Sequence, residues 1–297
     1  MQELLVPIFC DIDDFCINLE QYFKGHLLKD TANNKFQLTT SKTLCLSEIM
    51  TIIVYFQLSG YRNFKTYYTK HVCKNLRKYF PKLVSYNRFV ELMPEALVPL
   101  TLFIYNRRLG KCTGFSFIDS TTLDVCDNRR IHSHKVFKDV AQRGKVSTGW
   151  FYGFKLHLVI NEKGEILSFY LTPGDTDDRN LDVIDKLTKG LFGKLIGDKG
   201  YISQPLFENL FSKGIQLITK LKKNMKNKLI SLTDKLMLRK RAIIESVNDH
   251  LKNICQIEHS RHRSVYNFVV NVIAGLVAYT FLPKKPSLRT NLDCLTN

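Results

Sequence analysis

The chain has 297 residues, 44% of them hydrophobic, which is enough apolar material for a buried core and excludes general disorder. Its 44 Lys+Arg against 27 Asp+Glu leave a net charge of +17, the balance of a protein that meets a polyanion. The eight cysteines form no C-x-x-C pair and no Cys/His rhythm of a zinc site, so zinc-finger and disulfide-framework classes fall away and reduced thiols are expected.

The start, Met1-Gln2-Glu3, carries no basic region, so no signal peptide is expected. Residues 1–105 read as helices. Ser47 is a candidate N-cap for an apolar-periodic stretch (Ile49, Ile52, Ile53, Phe56) that Gly60 would end. A second helix is predicted over 63–80, lysine- and arginine-rich and stopped by Pro81. A third is predicted over 85–93, stopped by Pro94. Three short helices with a basic middle member suit a helix-turn-helix-like DNA-binding module, though helical bundles of other purpose share the pattern.

The rhythm changes at residue 115. Strands are predicted over 115–119, 150–160 and 165–172, the last two joined by a turn at Asn161-Glu162-Lys163-Gly164. Then helix and strand alternate: a helix over 178–189, a strand over 194–198, a helix over 204–212, a strand over 215–220 and a long helix over 236–254. A meander followed by alternating elements predicts an α/β domain with a mixed five-stranded sheet flanked by helices, occupying 106–297 after a small all-α N-terminal domain. Residues 265–282 are apolar enough to span a bilayer. Asn267 and Asn271 would be costly in lipid, so a buried helix at the end of the second domain is expected, with no membrane partner.

Carboxylates mark the chemistry. Ligands gather beyond the carboxyl ends of strands in open α/β sheets, and Asp119 and Asp198 each close a predicted strand. Gly197 and Gly200 would let the chain turn sharply and leave space beside Asp198. Side by side, two such acids repel unless a cation intervenes, and hard oxygen donors suit Mg²⁺ or Mn²⁺. On the last long helix, Ile243, Val247, Leu251 and Ile254 form an apolar stripe, while Arg241, Glu245, Asn248 and Lys252 form a separate polar one. Taken alone, Arg241 and Glu245 read as a surface ion pair.

Other groups have plainer readings. Asp175, Asp177 and Asp178 cluster before the 178–189 helix and read as caps, with Asp178 the N-cap candidate, although they could be ligands. Asp124 and Asp127 read as turn residues, His132 and His134 as a polar loop. Asp249, one turn beyond Glu245, is the alternative third acid.

Together, Asp119, Asp198 and Glu245 match in order, element type and approximate spacing the Asp-Asp-Glu triad of bacterial insertion-sequence transposases. The chain most resembles the insertion-sequence 982 family, over nearly its whole length. The stretches Arg129-Arg130-Ile131-His132-Ser133-His134, Gly149-Trp150-Phe151-Tyr152-Gly153-Phe154-Lys155 and Pro173-Gly174-Asp175 also look like family blocks. Related transposases carry a Tyr-x2-Arg-x3-Glu-x6-Lys signature, which Arg241, Glu245 and Lys252 fit; the tyrosine position is Leu238, so no role passes to it.

The resemblance implies a ribonuclease-H-like fold and DNA cleavage followed by strand transfer. It implies that Asp119, Asp198 and Glu245 hold two divalent ions, Mg²⁺ with Mn²⁺ as substitute, Asp119 bridging them. Water would attack first, and the released 3′-hydroxyl would then attack target DNA. Two ends imply at least a homodimer in the active complex, acting in the bacterial cytoplasm on the nucleoid. A nuclease without strand transfer and an inactive transposon-derived DNA-binding protein are the alternatives.

DNA contacts are expected from the basic insertion at 220–241, where nine Lys/Arg (Lys220, Lys222 and Lys223 among them) stand against one acid, Asp234. Arg241 and Lys252 on the acid-bearing helix, and Arg261 and Arg263 beyond it, are the other expected contacts, with end recognition falling to the N-terminal helices.

Overall fold

The computed structural model describes residues 2–27, 44–147, 149–220, 231–258 and 262–288. Two units result, one of Met1–Arg108 with Leu251–Leu282, the other of Leu109–His250 with Pro283–Asn297.

The first unit is helical. Helix Leu46–Leu58 buries nearly every side chain, as a core helix surrounded by others must. Its N-cap is Cys45 rather than Ser47: the Glu48 carboxylate accepts from the Cys45 N–H at 2.9 Å, while the Ser47 hydroxyl donates to Asp13 at 2.6 Å. Ser47 is committed to a tertiary contact. Gly60, at φ +77°, does end the segment. The second predicted helix covers only residues 64–75 and is wound as a π-helix over Tyr67–Val72. It stops well before Pro81, where the chain turns to bury Leu76 and Phe80. The third does not stop at Pro94. It continues as Tyr86–Arg108, because Pro94 enters a 3-10 turn (Met93–Ala96) at a position whose N–H needs no partner. That helix is long and apolar enough to pass for a membrane span, but Phe89, Leu92, Ala96, Leu100 and Phe103 make one fully buried stripe, the face of a core helix.

Helix Val265–Thr280 packs in this unit, with Leu46–Leu58, and not at the end of the sheet domain. It is buried along most of its length and so needs neighbours on several sides, which the N-terminal helices supply. Asn271 is satisfied there. Its carbonyl oxygen accepts from Gln57 Nε2 at 2.8 Å and its amide donates to the Ile257 carbonyl at 3.2 Å.

The second unit is built on β3, Gly149–Asn161. On one side of β3 runs β1 (Phe115–Asp124), antiparallel, with Asp119 opposite Leu158. On its other side β2 (Gln142–Val146) and β4 (Ile166–Pro173) lie end to end, both antiparallel. Beyond β1 come β5 (Gly193–Gly197) and β6 (Ile215–Thr219), both parallel to it. An antiparallel meander whose first strand continues into two parallel strands is the ribonuclease-H-like order; β2 is the one strand not expected.

One face of the sheet, through Ile118, Val159 and Leu195, packs on helices Leu181–Leu187 and Gln204–Ser212. Against the other lies helix Ala242–Asp249, which buries Ile243, Ile244 and Val247 and contacts β1. The single helix predicted over 236–254 is broken. Leu232–Lys240 and Ala242–Asp249 meet at Arg241, and a π turn, His250–Ile254, follows.

Candidate active site around Asp119

β1 does not end at Asp119. It runs on to Asp124 because residues 119–124 keep their ladder with β3, whereas pairing with β5 stops at Phe117 and Ile196. Asp119 therefore sits mid-strand where its parallel neighbour gives out. Asp198 follows directly on β5, whose last pairing with β1, Phe117 with Ile196, lies two residues before each acid. Asp198 is exposed and opens the 3-10 turn Lys199–Tyr201. The sharp turn expected of the glycines beside it takes no positive φ at either one. A Cβ at Gly197 would fit tightly, 3.2 Å from the Tyr201 ring and 3.3 Å from Ile118, whereas at Gly200 it would meet nothing, the space expected beside the acid.

The helix presents its polar stripe to Asp119. Arg241 Nη2 reaches Asp119 Oδ1 at 3.0 Å, and Asn248 Nδ2 reaches Oδ2 at 3.1 Å. Glu245 lies between them on the stripe and accepts from Arg241 Nη1 at 2.8 Å, its side chain 60% exposed. Arg241, at the break between helices, thus bridges two of the three predicted acids. Asp249 is exposed on another face of the helix.

Asp178 stands on the other flank and is not the N-cap; Asn180 is, accepting from the Asp182 and Val183 N–H groups. Asp178 Oδ1 accepts from the Ser120 hydroxyl at 2.8 Å and from Lys155 Nζ at 3.2 Å. The Lys155 ammonium also donates to the Thr176 carbonyl at 2.9 Å. His157, wholly buried and held neutral by that burial, bonds Thr172 through Nε2 at 2.9 Å. Sequence reasoning gave no role to Asn248, although its seven-residue spacing from Arg241 could have done so; the Ser120–Asp178 link had no local signal.

Burial pushes the Asp119 carboxyl up to about 6, against the pull of Arg241, and the negative charges of Glu245 and Asp178 push the same way. Carboxylates repelling one another across a strand end, with oxygen donors and no thiol among them, suit a hard divalent cation. Among the described residues no three His, Cys, Asp or Glu side chains are gathered closely enough to enclose a metal. Asp198 is exposed, and Glu245 is paired with Arg241.

Of the expected DNA contacts, Lys220 and Arg263 are exposed, Arg241 is engaged with the acids, and Lys252 pairs with Glu258 at 3.0 Å. Lys222, Lys223 and Arg261 lie outside the described residues. Asp127 caps the turn Asn128–Ser133 through the Arg129 N–H, and Asp124 closes β1.

The family profile described as "Transposase DDE domain" matches residues 109–265, more than half of the chain. No curated protein matches. Among solved structures, a cryo-EM structure of the piggyBac transposase synaptic complex with hairpin DNA aligns over 95% of this chain and 75% of that one, at 11% identity and TM-score 0.42. The simian T-cell lymphotropic virus intasome in complex with the PP2A regulatory subunit B56 gamma aligns over 66% of this chain and 59% of that one, at 14% identity and TM-score 0.26. The Mos1 strand transfer complex aligns over 82% and 87%, at 10% identity and TM-score 0.24.

Proposed function

The chain belongs to the transposase DDE domain family, and from that premise we propose that Asp119, Asp198 and Glu245 are the acids with which it cuts element ends and joins them to target DNA. It is an enzyme of phosphoryl transfer on DNA, and enzymes of this kind use divalent metal ions. The observation that supports the residue assignment is the convergence of Arg241 and Asn248 on Asp119, which brackets Glu245, together with the position of Asp198 directly after β5, the strand that pairs with β1.

Asp119 would hold the metal from the floor of the site, with Asp198 and Glu245 turning in from its two sides. Mg²⁺ is the expected ion, with Mn²⁺ as substitute and two ions in the working site; bound there, they supply Lewis-acid activation and charge neutralisation at the scissile phosphate. The chain's own residues do the rest. Asn248 orients the Asp119 carboxylate, and Arg241 keeps that carboxylate charged within a largely buried setting. The Lys155–Asp178–Ser120 linkage holds the backbone following Asp119 in place. Water is the first nucleophile and the freed 3′-hydroxyl the second.

DNA is the partner, held by phosphate contacts from the basic insertion, from Arg241 and Lys252 and from the segment around Arg261 and Arg263. The N-terminal helices would recognise the terminal inverted repeats, and a homodimer would bring two ends together.

The test incubates the purified chain with element-end DNA and Mg²⁺ or Mn²⁺, beside Asp198→Ala. Metal-dependent cleavage and joined products from the unmodified chain alone are expected. Cleavage without joining would make it a nuclease, and equal cleavage by both proteins would overturn the assignment.

A further inference from the structure

Trp150 is the chain's only tryptophan, and it is 52% exposed. An indole kept for the core would be covered, so an open one on a rigid strand needs another account. Lys145 lies directly opposite it on β2, and Arg143 is two residues further along. Side chains at those positions project from the same face of the ladder. The Arg143 guanidinium sits 4.8 Å from the indole centroid and the Lys145 ammonium 5.5 Å from it.

The platform is fixed from behind. On the hairpin's other face a Cβ at Gly144 would fall 2.6 Å from the Phe151 ring and 2.1 Å from the Gly174 carbonyl, so the strand pair is seated tightly on the end of β4. The Trp150 carbonyl accepts from Asn128 Nδ2 at 2.6 Å, tying it to the turn that bears the exposed Arg129 and Arg130. Along β3, Trp150 is eight residues from Leu158, the partner of Asp119. At about 3.3 Å per residue that is roughly 26 Å, less than one turn of a DNA duplex.

We propose that Trp150, with Arg143 and Lys145 beside it, is a stacking platform for an unpaired base at a DNA end, with the two cations on the phosphates next to that base. A flat indole needs an open base face, which a duplex interior lacks and a frayed or single-stranded end provides. The neighbouring cations fit the phosphates of a nucleic-acid backbone. This rests on DNA being the substrate, as proposed above.

The lone tryptophan is its own probe. The full chain, without metal so that nothing is cut, is titrated with a duplex carrying unpaired nucleotides at its ends and, separately, with heparin, a polyanion without bases. Indole emission and the anisotropy of a labelled duplex are both followed. The forked duplex should quench the emission strongly while heparin binds with little quenching. Trp150→Ala should weaken forked-duplex binding by roughly tenfold or more, while Trp150→Phe keeps most of the affinity. Arg143→Ala with Lys145→Ala should flatten the salt dependence of binding. Melting temperatures matching the unmodified chain would show that the variants fold. Equal quenching by heparin, or unchanged forked-duplex affinity in Trp150→Ala, overturns the platform while DNA binding stands. No DNA binding at all overturns the reading on which it rests.

Discussion

At the scale of single residues, Asp119 carries two testable consequences. Its carboxyl is pushed from the ordinary 3.8 up to about 6, chiefly by burial. The folded chain therefore binds this proton more tightly than the unfolded one, so stability falls as pH rises from about 4 to about 6 and levels off above. A shift of two units corresponds to about 3 kcal/mol at most. Melting temperature against pH should show that fall without metal, a divalent cation should offset it above pH 6, and Asp119→Asn should remove it. Arg241 is the second case. Arg241→Ala leaves Asp119 largely buried with no guanidinium, and should cost about 2 kcal/mol, less to the extent that Asp119 takes up a proton. Added divalent salt should recover more of that loss than sodium chloride of equal ionic strength, as thermal melts would show. Recovery equal in the two salts would argue against a cation site at Asp119.

At the scale of elements, the helix Ala242–Asp249 and the helix Val265–Thr280 each depend on a few contacts. Val247 is fully buried beneath the Glu245 helix. Val247→Ala should destabilise by about 1–2 kcal/mol in denaturant melts and lower strand transfer beyond what stability explains, because it loosens the element that aims Arg241, Glu245 and Asn248. In the other helix, Asn271→Leu takes the 2.8 Å side-chain acceptor from the buried Gln57 amide, leaving it the 3.3 Å bond to the residue 271 carbonyl, and removes the donor to the Ile257 carbonyl; it should cost about 1–3 kcal/mol. Adding Gln57→Leu should return the part that belongs to the Gln57–Asn271 side-chain pair, since both of its members are then gone; a double variant no better than the single would show that the pair is not coupled.

At the scale of the whole molecule, the chain returns on itself: Leu251–Leu282 completes the unit begun by Met1–Arg108. Removing residues 1–108 alone is therefore not a clean way to test DNA-end recognition. It should uncover Val265–Thr280 and give an aggregating product. Removal together with 251–282 should leave a soluble sheet unit with a cooperative melt, as size-exclusion chromatography and circular dichroism would report. Aggregation of both products would mean that the sheet unit does not stand alone. End recognition is better tested in the full chain, by substituting exposed basic residues of the N-terminal helices.

Local pattern alone disclosed the α/β sheet, the place of Asp119 on a strand and of Asp198 at a strand end, and the polar stripe of Arg241, Glu245 and Asn248. Alternation, glycine turns and helical spacing are properties of neighbouring residues and need no fold to be read. It missed β2, whose Gln142–Val146 has no alternating apolar face and exists because β3 offers it a ladder. It misjudged where β1 ends, since only the partners across the sheet decide how long a strand persists. The helix breaks at Arg241 and the continuation through Pro94 likewise follow from packing. What Asp119 touches was decided by tertiary structure: a helix far along the chain delivers Arg241 and Asn248 to its carboxylate. Sequence spacing states which side chains share a face. Only the packing of one face on another states what they touch.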